Sequence, residues 1–232
     1  MNDYPYNFGR GGALGSAETR NRVLRNTYWL LALSMIPTVL GAWIGVTTGF
    51  SLFAATSPVM SLIAFFAIAF GFMFAIERTK NSSAGVFVLL GFTFFMGLML
   101  SRLLSFILGY SNGPSLIMLA FGGTGVIFAA MATVATVSKR DFSGLGKWLF
   151  VGLIVLILAS LANVFLHLPA LMLTVSVLAI VIFSAYMLFD VQRVVNGGET
   201  NYISATLAIY LDLYNVFTNL LMLLGIFGGN RD

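Results

Sequence analysis

Residues 202–227 read YISATLAIYLDLYNVFTNLLMLLGIF, an apolar stretch long enough to cross a membrane as one helix. One acid, Asp212, stands near its middle, where a carboxylate costs at least about 2.5 kcal/mol. Asn215 and Asn219 follow Asp212 at helical spacing, and Ala208 precedes it by one turn. This small and polar stripe predicts that the last helix faces the inside of a helix bundle.

Six further apolar segments of membrane-spanning length precede this stretch. Of the 232 residues, 59% are hydrophobic and 9% are charged, whereas a soluble domain carries about 25% charged residues. The sequence therefore predicts an all-α integral membrane protein, with seven transmembrane helices over 27–232 and a flexible N-terminal tail over 1–26. The six earlier spans are predicted at about 27–46, 59–76, 84–100 (or on to 108), 115–137, 148–166 and 170–191.

The basic residues indicate how these spans are oriented. Seven crossings place ten of the 12 Lys and Arg residues on one side of the membrane, which the positive-inside rule assigns to the cytoplasm. We therefore expect a multi-pass membrane protein, with the N-terminus cytoplasmic and the C-terminus outside. The basic pI of about 9.6 then reflects topology rather than nucleic-acid binding. The ten residues are Arg10, Arg20, Arg22, Arg25, Arg78, Lys80, Lys139, Arg140, Lys147 and Arg193.

The sequence also excludes several kinds of chemistry. There is no cysteine, so the chain has no disulfide, thiolate metal site or thiol nucleophile. A single histidine, His167, leaves no His cluster for a metal. We predict no catalytic residues and expect a protein that is not an enzyme.

Two of the eight acids fall within spans, Asp190 and Asp212, and the other six lie in tails or loops. If the sixth span continues to Gly197-Gly198, Asp190 lies about 10 Å inside its end. Asp212 lies about 15 Å inside the start of the last span, so the two carboxyls can meet. Such a pair could share one proton and sense pH, or bind a hard cation such as calcium through its oxygens. The alternative is two unrelated polar residues.

Small residues recur at helical spacing in two spans. Gly41 and Gly45 form a GxxxG pair, a pattern that lets helices approach closely in lipid. A second stripe lies on the fourth span, and packing is the interpretation that we favour for both. That stripe consists of Gly122, Gly125, Ala129, Ala132 and Thr136.

Several motifs around the two acids resemble the Bax inhibitor-1 family, and its bacterial YccA-like branch in particular. They are Phe189-Asp190, the linker Gly197-Gly198-Glu199-Thr200-Asn201-Tyr202-Ile203, and Leu211-Asp212-Leu213-Tyr214-Asn215. Phe121-Gly122-Gly123-Thr124-Gly125 and Lys139-Arg140-Asp141-Phe142-Ser143 match as well. The resemblance covers nearly all of the chain after about Arg20, and it implies a protein of a bacterial inner membrane.

The resemblance implies a fold in which the last helix is surrounded by the other six. It also implies an ion- and pH-sensing pair at Asp190 and Asp212, which in calcium-leak members controls a pH-sensitive pore. In the family a basic residue near the cytoplasmic end of the second span latches such a pair; Arg78 is our candidate for it, with Lys80 as the alternative. We take Asn215 and Asn219 as candidate polar partners. One departure is that Leu98-Met99-Leu100 follows Gly97, where family members commonly have a proline.

Three functions follow as hypotheses. The first is a pH-sensitive calcium or proton leak that is gated by Asp190 and Asp212, with calcium as a ligand of the pair. The second is a regulator that binds a membrane-anchored AAA+ protease through the N-terminal tail. The third is an intramembrane aspartyl protease, because two membrane aspartates could activate water. That class places its second acid in Gly-x-Gly-Asp, whereas Ile209-Tyr210-Leu211 precedes Asp212 here.

Overall fold

The computed structural model describes residues 10–50 and 58–230. Within these ranges the chain forms seven α-helices, each long and apolar enough to cross a membrane, and no strand. The prediction of an all-α protein with seven transmembrane helices is confirmed. The helices are α1 (Arg10–Thr48), α2 (Pro58–Thr79), α3 (Ser83–Leu108), α4 (Gly113–Val137), α5 (Leu145–Leu166), α6 (Pro169–Val195) and α7 (Tyr202–Gly228).

The first helix begins earlier than the sequence predicted. Residues 10–26 are part of α1, not a flexible tail, and residues 1–9 lie outside the described ranges. The 39 residues of α1 span about 58 Å, compared with a hydrocarbon layer of about 30 Å. The last of these protruding turns packs on the bundle, because Val23 is buried against Val194 of α6 and Ala205 of α7.

The last helix occupies the centre of the bundle, as the polar stripe predicts. It packs against α1, α2, α3, α4 and α6. Among the described helices, α5 instead contacts α6 alone, so the expectation that all six helices surround α7 is wrong at α5. Hydroxyls of α7 bond across the bundle. Tyr210 Oη lies 2.9 Å from Thr38 Oγ1, and Tyr214 Oη donates to the Met96 carbonyl oxygen at 3.2 Å.

The closest helix contact joins α1 and α3, and glycines make it. A Cβ atom at Gly41 would collide with the carbonyl oxygen of Phe94, and one at Gly97 with that of Thr38. Gly45 faces the side chain of Ser101, where a Cβ would come within 2.5 Å. The predicted packing role of the GxxxG pair is therefore confirmed.

The second stripe of small residues behaves differently. Cβ atoms at Gly122 and Gly125 would meet nothing within 4 Å, and Ala129 and Thr136 are exposed. This face of α4 lies on the outside of the bundle, because α4 turns its buried residues Ala120, Thr124 and Ala135 inward. The expectation that the stripe packs within the chain is wrong for these four residues.

The two ends of the bundle are held by polar contacts. At the end where α1 begins, Asn201 Nδ2 donates to the Lys80 carbonyl oxygen at 3.0 Å. At the far end, Asn112 Nδ2 donates to the Gly228 carbonyl oxygen at 2.6 Å. We call the end where α1 begins the basic end, since nine of the basic residues that the structure describes lie there. These are Arg20, Arg22, Arg25, Arg78, Lys80, Lys139, Arg140, Lys147 and Arg193.

Candidate functional site

The two membrane acids meet where α6 and α7 pack together near the basic end. Asp190 lies five residues before the last residue of α6, and Asp212 ten residues after the first residue of α7. These separations correspond to depths of about 7.5 Å and 15 Å. The two carboxyl groups are nevertheless within hydrogen-bonding contact of each other. The pairing that the spacing predicted is thus present in the structure.

Both acids are largely shielded from solvent. Asp190 is 9% exposed and Asp212 is 4% exposed. The Oδ2 atom of Asp212 is buried and has no hydrogen-bond partner among the residues that the structure describes. Because a buried carboxylate without a partner is costly, this oxygen is suited to holding a proton or a cation.

The cation that contacts this pair is Arg193. Its Nη1 lies 3.3 Å from Asp190 Oδ1, one helical turn away on the same face of α6. Its Nη2 lies 3.6 Å from Glu199 Oε2, and its guanidinium stands 5.7 Å from the centre of the Phe189 ring. Arg193 therefore bridges a helix acid and a linker acid.

Arg78, which the resemblance suggested as the latch, lies elsewhere. It is exposed at the end of α2, with its guanidinium 5.0 Å above the Phe74 ring. In the described part of the chain, the ion pair of Asp190 is with Arg193 and not with Arg78. Helix α2 makes only a slight contact with α7 and none with α6, so its last turn does not reach Asp190.

The two asparagines of α7 bond to their own helix. Asn215 Nδ2 donates to the Leu211 carbonyl oxygen at 2.8 Å, and Asn219 Nδ2 donates to the Asn215 carbonyl oxygen at 2.8 Å. An amide that returns to the carbonyl one turn earlier satisfies itself locally. The structure therefore places both asparagines on α7 below Asp212 without a hydrogen bond to its carboxyl.

The linker between α6 and α7 is tightly folded. Helix α6 ends in a Schellman motif, in which Gly197 N donates to Val194 O at 3.1 Å and Gly198 N to Arg193 O at 2.8 Å. Gly197 takes a φ of +76°, which favours glycine. Asn201 then caps α7, since its Oδ1 accepts from Ser204 N at 3.1 Å and from Ile203 N at 3.0 Å. The linker thus fixes how the two acid-bearing helices are set against each other.

A cleft opens at the basic end beside this linker. Its volume is about 470 Å³, and it lies between the protruding turns of α1 and the α6–α7 linker. Glu199, which holds Arg193, forms part of its wall. The lining residues are Thr19, Arg20, Val23, Asn196, Gly197, Glu199 and Thr200.

Gln192 ties the loop between α4 and α5 to the same region. Its Oε1 accepts from Phe142 N at 2.6 Å, and its Nε2 donates to the Arg140 carbonyl oxygen at 2.7 Å. In that loop, hydrogen bonds from Ser143 hold the pKa of Asp141 below its usual range.

Sequence reasoning missed the roles of Gln192, Arg193 and Glu199, although the spacing of Asp190 and Arg193 was a usable signal.

Calcium at the pair stays a prediction. The described residues contain no group of three or more His, Cys, Asp or Glu side chains arranged to hold a metal ion. Two carboxyls supply only part of the six to eight oxygen ligands, roughly, that calcium takes. A bound ion would have to keep water or take backbone carbonyls as its other ligands.

Comparison with known proteins gives a consistent family assignment. Residues 20–229 match the family model described as "Inhibitor of apoptosis-promoting Bax1". A membrane protein of Vibrio cholerae is 37% identical over 223 residues, which cover 96% of this chain and 97% of that protein. "Modulator of FtsH protease YccA" of Escherichia coli K12 is 37% identical over 210 residues, covering 90% of this chain and 92% of that protein. "Inner membrane protein YccA" of the E. coli strain CFT073 matches to the same extent.

Proposed function

The chain belongs to the Bax inhibitor-1 family, and from that premise we propose that it is a pH-sensitive cation leak gated by Asp190 and Asp212. The observation that carries this proposal is the contact between two shielded carboxyls inside a membrane bundle. Two carboxylates in contact cannot both ionise cheaply, so a proton and a cation compete for the same oxygens. The unpartnered Oδ2 of Asp212 supplies an acceptor for either one.

Calcium is the cation that we propose for this pathway. Carboxylate oxygens are hard ligands and favour hard cations such as calcium. The arrangement of the pair near the basic end would let an ion reach the carboxyls from that side, which we assign to the cytoplasm of a bacterial inner membrane.

The test is calcium flux into liposomes that contain the purified protein, measured across a pH series. We expect Asp212→Asn to flatten the pH dependence, because a single remaining carboxyl no longer shares a proton. Asp190→Asn should act in the same direction. Asp141→Asn is the matched control, since this acid is exposed in a loop and bonds to Ser143. A pH profile that Asp212→Asn leaves unchanged would remove the proposal.

A second function is favoured by one comparison. A relative at 37% identity is named a modulator of the FtsH protease, so we also propose that this chain binds a membrane-anchored AAA+ protease. The contact that we propose is the N-terminal region 1–26, whose later turns carry the exposed Arg20, Arg22 and Arg25. This function does not exclude a leak.

Deleting residues 1–17 tests this second proposal. The deletion spares Val23, which is buried against α6 and α7, so we expect the bundle to stay folded. Co-purification with the protease should be lost, while calcium flux in liposomes should remain. Asp212→Asn is the converse control, because it should retain the protease. Retention of the protease after the deletion would argue against residues 1–17 as the contact.

A further inference from the structure

Two buried side-chain oxygens lie on one face of α7 without a hydrogen-bond partner among the described residues. They are Ser204 Oγ and Asp212 Oδ2. Ala208 stands midway between the two residues, and residues four apart on a helix are neighbours on one face. We call these three residues the α7 row. It runs from about 3 Å to about 15 Å from the start of α7, which lies at the basic end.

The missing partner of Ser204 has a local cause. A serine or threonine inside a helix commonly donates to the carbonyl oxygen one turn earlier. Thr206 and Thr218 of α7 do so, at 2.7 Å and 2.9 Å. The residue one turn before Ser204 is Thr200, which precedes the first residue of α7. The Ser204 hydroxyl is therefore able to donate to, and accept from, another molecule.

Ala208 leaves space between the two oxygens. Its side chain ends at Cβ, and the residue is partly exposed although it lies about 9 Å from the start of α7. Thr206 lies nearer to that start but on the opposite side of the helix, against α1, where it is fully buried at 0% exposure. The α7 row is thus open to a small molecule at a depth where the other side of α7 is closed.

We propose that the α7 row is a water-binding site, in which a chain of water molecules joins Ser204 Oγ to Asp212 Oδ2. A buried water typically makes about three hydrogen bonds to polar groups that the protein leaves unsatisfied, and the row ends in two such groups. The two residues are about 12 Å apart along the helix, a distance that about three water molecules span at ordinary hydrogen-bond lengths.

The groups on α6 that face Asp212 do not replace this water. Asp190 lies against its carboxyl, and Tyr186 interacts electrostatically with both aspartates. Neither one donates a hydrogen bond to Asp212 Oδ2. Arg193 pairs with Asp190 and Glu199 instead. Water is therefore the partner that the chemistry of this oxygen calls for.

The water chain gives Asp212 a route for proton exchange with the solution at the basic end. When the outermost water takes up a proton, one proton arrives at Oδ2, because each oxygen between them receives one proton and passes one on. The route follows α7, and Ser204 is not among the described residues that line the cleft. The inference goes beyond the proposed leak, since water reaches Asp212 whether or not a cation passes.

The first arm of the test uses water itself as the probe. The chain contains no cysteine, so one introduced thiol gives a unique S–H band in the infrared spectrum, which shifts when deuterium from D2O replaces the hydrogen. In lipid nanodiscs, the thiol of Ala208→Cys should exchange at least about tenfold faster than that of Thr206→Cys, because a thiol in contact with water exchanges without local opening of the bundle.

Thr206→Cys is the matched control, because this position is shallower than Ala208 but lies on the closed side of α7. Exchange at position 208 that is as slow as at position 206 would show that lipid or packed side chains cover the α7 row. That result would overturn the proposal.

The second arm tests the route. Asp212→Cys places the thiol at the inner end of the α7 row. Adding Ala208→Leu should slow the exchange of this thiol at least about tenfold, because leucine fills the row and exchange then needs local opening. Adding Ala208→Ser should leave the rate unchanged, since serine is small and bonds to water. An unchanged rate with Ala208→Leu would overturn the assignment of the route.

The water site and the proposed leak can fail separately. Hydrogen exchange needs no flux, so a protein that conducts no calcium still tests the water site. Thermal unfolding in detergent checks that each variant is folded. If Ala208→Leu does not fold, Ala208→Val takes its place, and an unchanged rate in that variant would overturn the assignment in the same way.

Discussion

Asp212 places a carboxyl group about 15 Å from the start of a membrane helix. Contacts offset only part of the free-energy cost of burying it there. Its carboxyl group lies against that of Asp190, and its Oδ2 atom is buried without a hydrogen-bond partner among the described residues. Replacing a buried, incompletely paired charge with a neutral group of the same shape is often neutral or stabilising. We therefore expect Asp212 to contribute to function rather than to stability.

We therefore expect Asp212→Asn to keep or raise stability while it alters flux. The gain should be on the order of 1 kcal/mol, the scale of one unsatisfied buried polar group. Thermal unfolding in detergent measures it. A marked fall in Tm would mean that Asp212 is a structural member of the bundle.

Gly97 and Gly41 each face backbone atoms of the opposite helix. Unlike a flexible side chain, this backbone cannot move aside locally to make room for a larger residue. Gly97→Ala should push α3 away from Thr38 on α1 and destabilise the protein by about 1–3 kcal/mol. Gly41→Ala should cost a similar amount, and the double variant less than the sum, because one helix shift relieves both collisions.

Gly122→Ala is the control for these two glycines. Its Cβ would enter open space on the outside of α4. The free energy of unfolding, followed through Tm, should therefore change by no more than about 0.5 kcal/mol. A loss as large as that of Gly97→Ala would show that Gly122 also packs closely.

The sequence alone could predict only part of the candidate site. The acid pair followed from the depths of Asp190 and Asp212, because helix rise is regular. The prediction that Arg78 on α2 is the partner of Asp190 was wrong. Whether Arg78 can reach Asp190 depends on how α2 packs in the bundle, and no local sequence pattern encodes that packing. Arg193 was predictable in principle, because residues three apart on one helix are neighbours whatever the tertiary packing.

Among the helices, α7 is stabilised and positioned by polar contacts at its first turn. Asn201 caps the helix through Oδ1, and its Nδ2 also donates to Lys80 O at 3.0 Å and to Asn81 Oδ1 at 2.9 Å. One residue thus joins the start of α7 to the turn between α2 and α3.

Asn201→Ala should destabilise the protein by about 1–2 kcal/mol, since it removes the cap and leaves two helix N–H groups without this acceptor. Asn201→Asp should lose less, because the carboxylate still caps the helix while the bonds from Nδ2 disappear. Tm in detergent distinguishes the two, with Asn196→Ala at the exposed end of α6 as the control. Equal losses in both Asn201 variants would mean that the cap contributes little.

Element boundaries were the weaker part of the sequence prediction. The spans of α2, α4, α5 and α7 lie close to their observed helices because uninterrupted apolar runs mark them. The start of α1 was missed, since residues 10–26 are polar and rich in glycine. Within this stretch, Val23 makes a long-range contact with α6 and α7, which a local pattern cannot show.

For the whole molecule, the grouping of basic residues at one end predicts its orientation. If all seven helices cross the membrane, the start of α1 and the end of α7 lie on opposite sides, and the positive-inside rule predicts that the basic end is cytoplasmic. We expect alkaline phosphatase fused after residue 232 to be active and green fluorescent protein fused there to be dark.

Fusion points within the chain supply the control. A phosphatase fused after Lys147, which lies just after the loop between α4 and α5, should be inactive because this loop is at the basic end. A fluorescent C-terminal fusion would reverse the orientation and with it the assignment of the cleft to the cytoplasm.

The central position of α7 and the peripheral position of α5 have a consequence for how the chain is made. Helix α5 is the most hydrophobic of the spans and contacts α6 alone, so it can rest in lipid before its neighbour emerges from the ribosome. Helix α7 is the least hydrophobic of the seven spans and carries Asp212, yet it is synthesised after the five helices that it packs against. The order of synthesis thus brings the costliest span to the membrane when a protein-lined place for it exists.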